Sequence, residues 1–422
     1  MNIPSGALSI IGDKSISHRS LILCSLAEGV SRLSNVLISG DTNATIEILR
    51  SLGVEIIQEG ENKLKIFGVG LLGLKKPLKS LHAASSGTTA RLFIGLLSKQ
   101  KFSSILEGSE QLTSRPMARI VEPLKENGAL ISDTKGKLPV SIYPSEFKFE
   151  KITTSTPSAQ VKSGFLLAAL YHNEPTTITE NTPTRDHTER MLDFMGVNVV
   201  RLGNNITLQP TKQLKPIEYD IPGDPSSASF LVALGILSRG EIVLKNVLIN
   251  ERRIGFFKIL KKMNANIQFQ NIEVINNEPV GDIYIKKSDL IGVEIDKSEV
   301  SDMVDEFPIF TLLATQAKGI TLVKGAKELR YKESDRIMAM EKFIHTLGGK
   351  VETFSDGFKL QGIQKLNKGI IKTYNDHRIS MTAVIASLSL NNGIKADDIN
   401  CISDSYPSFF SDLNKLGVNY DS

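Results

Sequence analysis

Six times along this chain a knot of polar and charged residues runs straight into about ten apolar, helix-compatible residues, at a period of roughly 70 residues. The stretches are Asp13–Gly29, Ser85–Lys99, Ser158–Tyr171, Asp224–Gly240, Asp305–Gly319 and Asp376–Leu390. Each is followed by a more amphipathic segment: Asp41–Gly53, Arg115–Gly128, Arg185–Gly196, Glu251–Asn264, Lys332–Gly348 and Pro407–Gly417. Short β-branched runs between them, such as Val54–Gln58, Lys63–Phe67, Asn205–Gln209 and Asp282–Lys286, read as strands. The pattern predicts an α/β protein of internal repeats, three per domain, because 422 residues exceed what one hydrophobic core comfortably supports. Helices apolar on nearly all sides, such as Phe165–Tyr171 and Phe230–Leu237, are expected to be buried.

The first knot, Gly12-Asp13-Lys14-Ser15-Ile16-Ser17-His18-Arg19, combines two fixed cations with two short hydroxyls where a helix should begin. Free backbone N–H groups and the helix dipole add to its pull on a phosphate or carboxylate. Ser, Asp and Thr at such positions also serve as ordinary caps. Capping does not account for the Lys, Arg, His and Glu that accompany them here, so anion binding by converging helix starts is the sharper expectation. The site must be local, since 50 basic against 46 acidic residues leave a formal charge of only +4, too balanced for a general nucleic-acid binder. Cys24 and Cys401 have no CxxC partner or nearby His pair, which argues against zinc and against a disulfide framework. No apolar run reaches the roughly 18 residues of a spanning helix, and Met1–Ile10 lacks the layout of an export signal, so a cytoplasmic protein without membrane contact is expected.

The first knot closely resembles the opening motif of the 5-enolpyruvylshikimate-3-phosphate synthase family of enolpyruvyl transferases. Further motifs follow in the family's order: Ser86-Gly87-Thr88-Thr89-Ala90-Arg91, Arg115-Pro116-Met117, Ser158 to Ser163, and Arg185-Asp186-His187-Thr188-Glu189-Arg190-Met191-Leu192. Then come Asp305-Glu306-Phe307-Pro308, Glu328 to Arg336, and Asn375-Asp376-His377-Arg378, so the resemblance spans essentially the whole chain. It implies two domains of three βαβαββ-type units each, with helix N-termini facing an interdomain cleft. One domain would comprise residues 1–12 and 222–422 and hold Asp305, Glu333, Arg336, His377 and Arg378. The other, 13–221, would hold Lys14, Arg19, Gly87, Arg115, Ser158 and Gln160. Ile221-Pro222-Gly223-Asp224-Pro225 suits a hinge, since Pro and Gly there discourage a continuous helix.

The resemblance further implies transfer of the enolpyruvyl group of phosphoenolpyruvate to the 5-hydroxyl of 3-phosphoshikimate, with release of phosphate, by a monomer that needs no metal or other cofactor. Such chemistry requires an acid, a base and fixed cations. Lys14, Asp305 and Glu333 are the implied catalytic residues, Asp305 as base and Lys14 with Glu333 as proton handlers. Phosphoenolpyruvate would be held by Lys14, Gly87, Thr88, Arg115, Gln160, Glu333, Arg336, His377 and Arg378. For 3-phosphoshikimate the implied set is Lys14, Ser15, Arg19, Ser158, Ala159, Gln160, Thr184, Asp305 and Lys332. Gly87, as in members inhibited by glyphosate, implies inhibition competitive with phosphoenolpyruvate.

Three positions depart from the pattern: Ser85 where many members have Asn, Asp404 near a position where some have Lys, and Glu328 where some have Asn. No role is carried over to them, nor to His18. Two rivals remain. One is the sister enzyme acting on UDP-N-acetylglucosamine, disfavoured because Glu107–Arg115 contains no cysteine. The other is a silent anion-binding protein on the same fold, disfavoured by the joint presence of Lys14, Asp305, Glu333 and Arg378.

Overall fold

A computed structural model describes residues 3–390 and 393–420. The chain divides into two compact units, one of Met1–Ile11, Pro222–Val274 and Pro279–Ser422, the other of Gly12–Ile221 and Ile275–Glu278. The main crossings thus fall at Ile11/Gly12 and Ile221/Pro222, with the hairpin turn Ile275–Glu278 grouped with the second unit.

The Gly12–Ile221 unit carries three four-stranded sheets. Their strand orders are Glu218–Asp220, Glu28–Ser34, Lys63–Val69, Glu55–Gly60; then Leu81–His82, Ser104–Glu107, Lys137–Ile142, Ile131–Thr134; then Lys151–Thr154, Thr176–Glu180, Asn205–Leu208, Val199–Leu202. In each, the first pair is parallel and the other two are antiparallel. In the other unit, two sheets begin with the same parallel and then antiparallel pairing, one from Ser5–Ser9 and one from Glu294–Ile295. Among the described residues its third sheet holds the parallel pair Gly369–Ile371 and Ile394–Ala396 and no further strand, so the sheets are not uniform across the six helical stretches.

All six apolar stretches form helices: Lys14–Ser25, Gly87–Leu97 and Ala159–Ala169 in one unit, Pro225–Leu237, Phe307–Gln316 and His377–Leu390 in the other. Nearly every residue of each is buried, as expected of helices with no polar face. The six amphipathic segments are helical too, at Gly40–Ser51, Ala118–Glu126, His187–Phe194, Gly255–Lys262, Arg336–Thr346 and Phe409–Lys415. Three of them, starting at Ala118, Gly255 and Arg336, begin three or more residues later than the apolar spacing predicts. Pro116 breaks the path after Arg115, so a short helix, Glu110–Thr113, precedes the break and the longer one starts at Ala118. Lys332–Ser334 stay outside the next helix because Asp335 caps it, accepting from the Met338 N–H at 3.0 Å.

Helix packing brings the polar starts together. A Cβ on Gly95 would lie 2.0 Å from the Gly164 carbonyl oxygen, so Gly87–Leu97 and Ala159–Ala169 touch backbone to backbone. That approach sets Thr88 and Gln160, one at each helix start, within hydrogen-bond reach of each other. Among the described residues no helix is long and apolar enough to cross a membrane.

Candidate active site

In the Gly12–Ile221 unit, the first knot begins with a true cap: Asp13 Oδ1 accepts the Ile16 N–H at 2.8 Å. Capping leaves the next residue free to reach outward, and Lys14 Nζ meets Asp41 Oδ2 at 2.9 Å with both side chains partly exposed. Arg19 is buried and spread over three segments. It donates to Thr188 Oγ1, the Ser15 carbonyl and Ser163 Oγ, each at 2.8 Å, and to the Ala159 carbonyl at 3.4 Å. These four partners are neutral oxygens, and together they fix the orientation of the guanidinium.

Gln160 is oriented from both sides, its Oε1 accepting from Arg91 Nη1 at 2.5 Å and its Nε2 donating to Thr88 Oγ1 at 2.9 Å. Arg91 also donates to the Pro116 carbonyl at 2.9 Å, joining the Gly87-Thr88, Gln160 and Arg115-Pro116 segments. A Cβ on Gly87 would lie 2.8 Å from Arg91 Nη1 and 3.0 Å from Arg115 Cζ, so a side chain there would displace these guanidinium ends. Ser158 caps its helix through the Val161 N–H at 3.4 Å. Thr184 donates to Glu180, and buried Lys162 meets Glu180 at 2.9 Å and Glu189 at 2.7 Å. Burial alone would depress the Lys162 ammonium, but Glu189 and Glu180 outweigh it and hold it above the ordinary lysine value.

The other unit has the opposite composition. Arg336, the first residue of its helix, is 1% exposed and faces three carboxylates. Its Nε is 3.0 Å from Asp376 Oδ2, its Nη2 2.6 Å from Glu333 Oε2, and its Nη1 3.4 Å from Asp305 Oδ1. Burial would weaken the guanidinium's hold on its proton, yet Asp376, Glu333 and Asp305 together raise its pKa above the ordinary arginine value. Burial likewise pushes Asp376 up, and Arg336 overcomes this to hold it below the usual carboxylate range. Asp305 and Glu333 keep partly exposed side chains, whereas Asp376 is fully enclosed. Arg378 lies 4.0 Å from Asp305 Oδ1, and His377 opens the buried helix beside it. Lys332 is half-buried just ahead of Glu333.

The structure therefore gathers Lys14, Ser15, Arg19, Ser158 and Ala159, and likewise Gly87, Thr88, Arg115 and Gln160, around the helix starts of one unit. In the other it gathers Asp305, Glu333, Arg336 and Arg378. Sequence reasoning missed the partners: Asp41 for Lys14, Arg91 for Gln160, Thr188 and Ser163 for Arg19, and Asp376 for Arg336. Asp376 and Arg91 stood inside matched motifs and could have been weighed there. Asp41 carried no local signal. Chemically, one arrangement offers cations and oriented donors for anionic groups, the other two accessible carboxylates beside arginines, suited to moving protons.

The chain as a whole matches known proteins of one family. The family model for EPSP synthase (3-phosphoshikimate 1-carboxyvinyltransferase) matches residues 3–413. The 3-phosphoshikimate 1-carboxyvinyltransferase of Persephonella marina is 46% identical over 421 residues, 98% of this chain and 97% of that one. That of a Sulfurihydrogenibium species is 43% identical, covering 97% of each chain. A solved EPSP synthase from Acinetobacter baumannii superposes with a TM-score of 0.87 at 37% identity, covering 99% of this chain and 96% of that one. The chain belongs to the EPSP synthase family of carboxyvinyltransferases.

Proposed function

We propose that this protein transfers the enolpyruvyl group of phosphoenolpyruvate to the 5-hydroxyl of 3-phosphoshikimate. The observation that carries the reading, beside family membership, is the pairing of Asp305 and Glu333 to one buried guanidinium. Two carboxylates paired to one guanidinium are held in place beside it, one set to accept a hydroxyl proton and the other to exchange a proton with carbon. In the addition step a proton joins C3 of phosphoenolpyruvate, the 5-oxygen bonds to C2, and Asp305 takes the hydroxyl proton. In the elimination step the new methyl group loses a proton and the C2–O bond to phosphate breaks. Lys14 and Glu333 serve the carbon proton.

Lys14, Gly87, Thr88, Arg115, Gln160, His377 and Arg378 hold phosphoenolpyruvate in this reading. Arg336 joins them by giving up its long 3.4 Å contact with Asp305 for the ligand carboxylate, which also frees Asp305 as a base. Ser15, Arg19, Ser158, Ala159, Gln160, Thr184 and Lys332 hold 3-phosphoshikimate, Ala159 through its backbone. The enzyme works as a cytoplasmic monomer. A coupled assay for phosphate release tests this: release is expected from phosphoenolpyruvate with 3-phosphoshikimate and not with UDP-N-acetylglucosamine. No release with either acceptor would point to a silent anion-binding protein.

A further inference from the structure

His18 sits between Lys14 and Arg19 on the same helix, fully buried, with no part in the chemistry above. Its Nδ1 is 2.8 Å from Thr45 Oγ1, which is 2.8 Å from Thr89 Oγ1. Thr89 in turn donates to Ser86 Oγ at 2.8 Å, and Ser86 also accepts the Thr89 N–H at 3.1 Å as the cap of the Gly87–Leu97 helix. The chain crosses three helices, Lys14–Ser25, Gly40–Ser51 and Gly87–Leu97.

Counting protons sets its direction. Each threonine hydroxyl has one proton to give. The Thr89 proton goes to Ser86 at 2.8 Å, with the Asp41 carbonyl a longer alternative at 3.5 Å, and in either case it is spent, so the Thr45–Thr89 bond uses the Thr45 proton. Thr45 then has none left, and its bond with His18 must use an N–H on Nδ1. The ring is thereby the Nδ1–H tautomer with a bare Nε2, and Nε2 is indeed buried without a hydrogen-bond partner. A second ring proton would be a buried donor with no acceptor. Burial, Lys14 and Arg19 oppose that proton as well.

We propose that His18 is a positioning residue for phosphoenolpyruvate: as the Nδ1–H tautomer it starts a one-directional hydroxyl chain that holds Ser86 and the helix start bearing Gly87 and Thr88. The kinetic consequence rests on the functional reading of Gly87 and Thr88; the hydrogen-bond chain itself does not. Geometry separates two substitutions. An asparagine amide places a donor at the δ position, where Nδ1 stands, whereas a glutamine amide places it one bond further out.

The test pairs spectroscopy with kinetics on the full-length protein. Nitrogen NMR of histidine-labelled protein, with the His18 signal identified by its loss in His18→Asn, should show a protonated Nδ1 and bare Nε2 at neutral and mildly acid pH. His18→Asn should keep the KM for phosphoenolpyruvate within about threefold, while His18→Gln raises it about tenfold, the scale of one lost hydrogen bond, leaving the KM for 3-phosphoshikimate unchanged. An Nε2–H tautomer in the wild type would overturn the proposal, as would equal effects of the two variants on phosphoenolpyruvate, or a variant that moved both KM values alike. Absence of phosphate release by the wild type would instead sink the functional reading, and the tautomer would still decide the chain.

Discussion

The two units meet their charges in opposite ways. Lys14 meets the carboxylate of Asp41, and Arg19 is oriented by a set of neutral oxygens. In the other unit three carboxylates, Asp305, Glu333 and Asp376, face the one guanidinium of Arg336. In the proposed reading this is a division of labour, with the carboxylates Asp305 and Glu333 on one unit and Ser15, Arg19, Ser158 and Ala159, which hold 3-phosphoshikimate, on the other.

The largest expected effect comes from removing the hub of the acidic unit. Arg336→Met leaves Asp376 buried without its counter-charge, so stability in urea should fall by about 3–5 kcal/mol. Adding Asp376→Asn should recover much of it. Recovery would show that the enclosed charge, not packing, causes the loss, and an equal loss in the double variant would show the reverse.

Next comes the cationic unit. Gly87→Ala puts a methyl group 2.8 Å from Arg91 Nη1 and 3.0 Å from Arg115 Cζ. Displacement of a binding group by up to about 1 Å can cost as much as about 100-fold, so the KM for phosphoenolpyruvate should rise about 10- to 100-fold. The KM for 3-phosphoshikimate should stay put; if it rose in parallel, the assignment of Gly87 and Arg115 to one ligand would be wrong.

The smallest effect is a pH dependence that differs between the units. Burial, followed by Lys14 and Arg19, lowers His18 well below the ordinary histidine value of 6.5. His172 is pushed down to about 4 by burial, with Lys99 and Lys148 adding to it. Both belong to the Gly12–Ile221 unit. Below pH 6.5 the unfolded chain takes up protons that the folded histidines refuse, so stability falls as pH drops, for His172 until about pH 4. Asp376 has the depressed pKa of a paired carboxylate, so its contribution holds above the ordinary aspartate value of 3.8 and is lost only in stronger acid. Hydrogen exchange followed by mass spectrometry should therefore show mild acid loosening the Gly12–Ile221 unit first. Earlier loosening around Arg336 would break the contrast.

Much of this was legible in the sequence, for identifiable reasons. The helix starts could be read because caps such as Asp13, Ser158 and Asp224 precede uninterrupted apolar runs. Residue types pointing to anions and protons could be read as well. Among the site residues two local placements were misjudged, Arg115 because Pro116 delays its helix and Glu333 because Asp335 rather than Lys332 opens the next one. Partners were the harder part. Lys14 meets a residue 27 positions away, Arg336 one 40 away and Arg19 one 169 away. Periodicity reports which face is apolar and carries no information on which distant polar side chain arrives there. His18 shows this most clearly, since its neighbours in sequence are binding cations while its structural partner is a threonine on another helix.

The division of labour is tested most directly by steady-state kinetics of Glu333→Gln, which keeps the size of the side chain and removes its charge. The account predicts a fall in kcat of about 100-fold or more, in the range for loss of a general acid or base, with the KM for each substrate within about threefold of the wild type. An unchanged kcat with a raised KM for phosphoenolpyruvate would make Glu333 a binding residue and contradict the account.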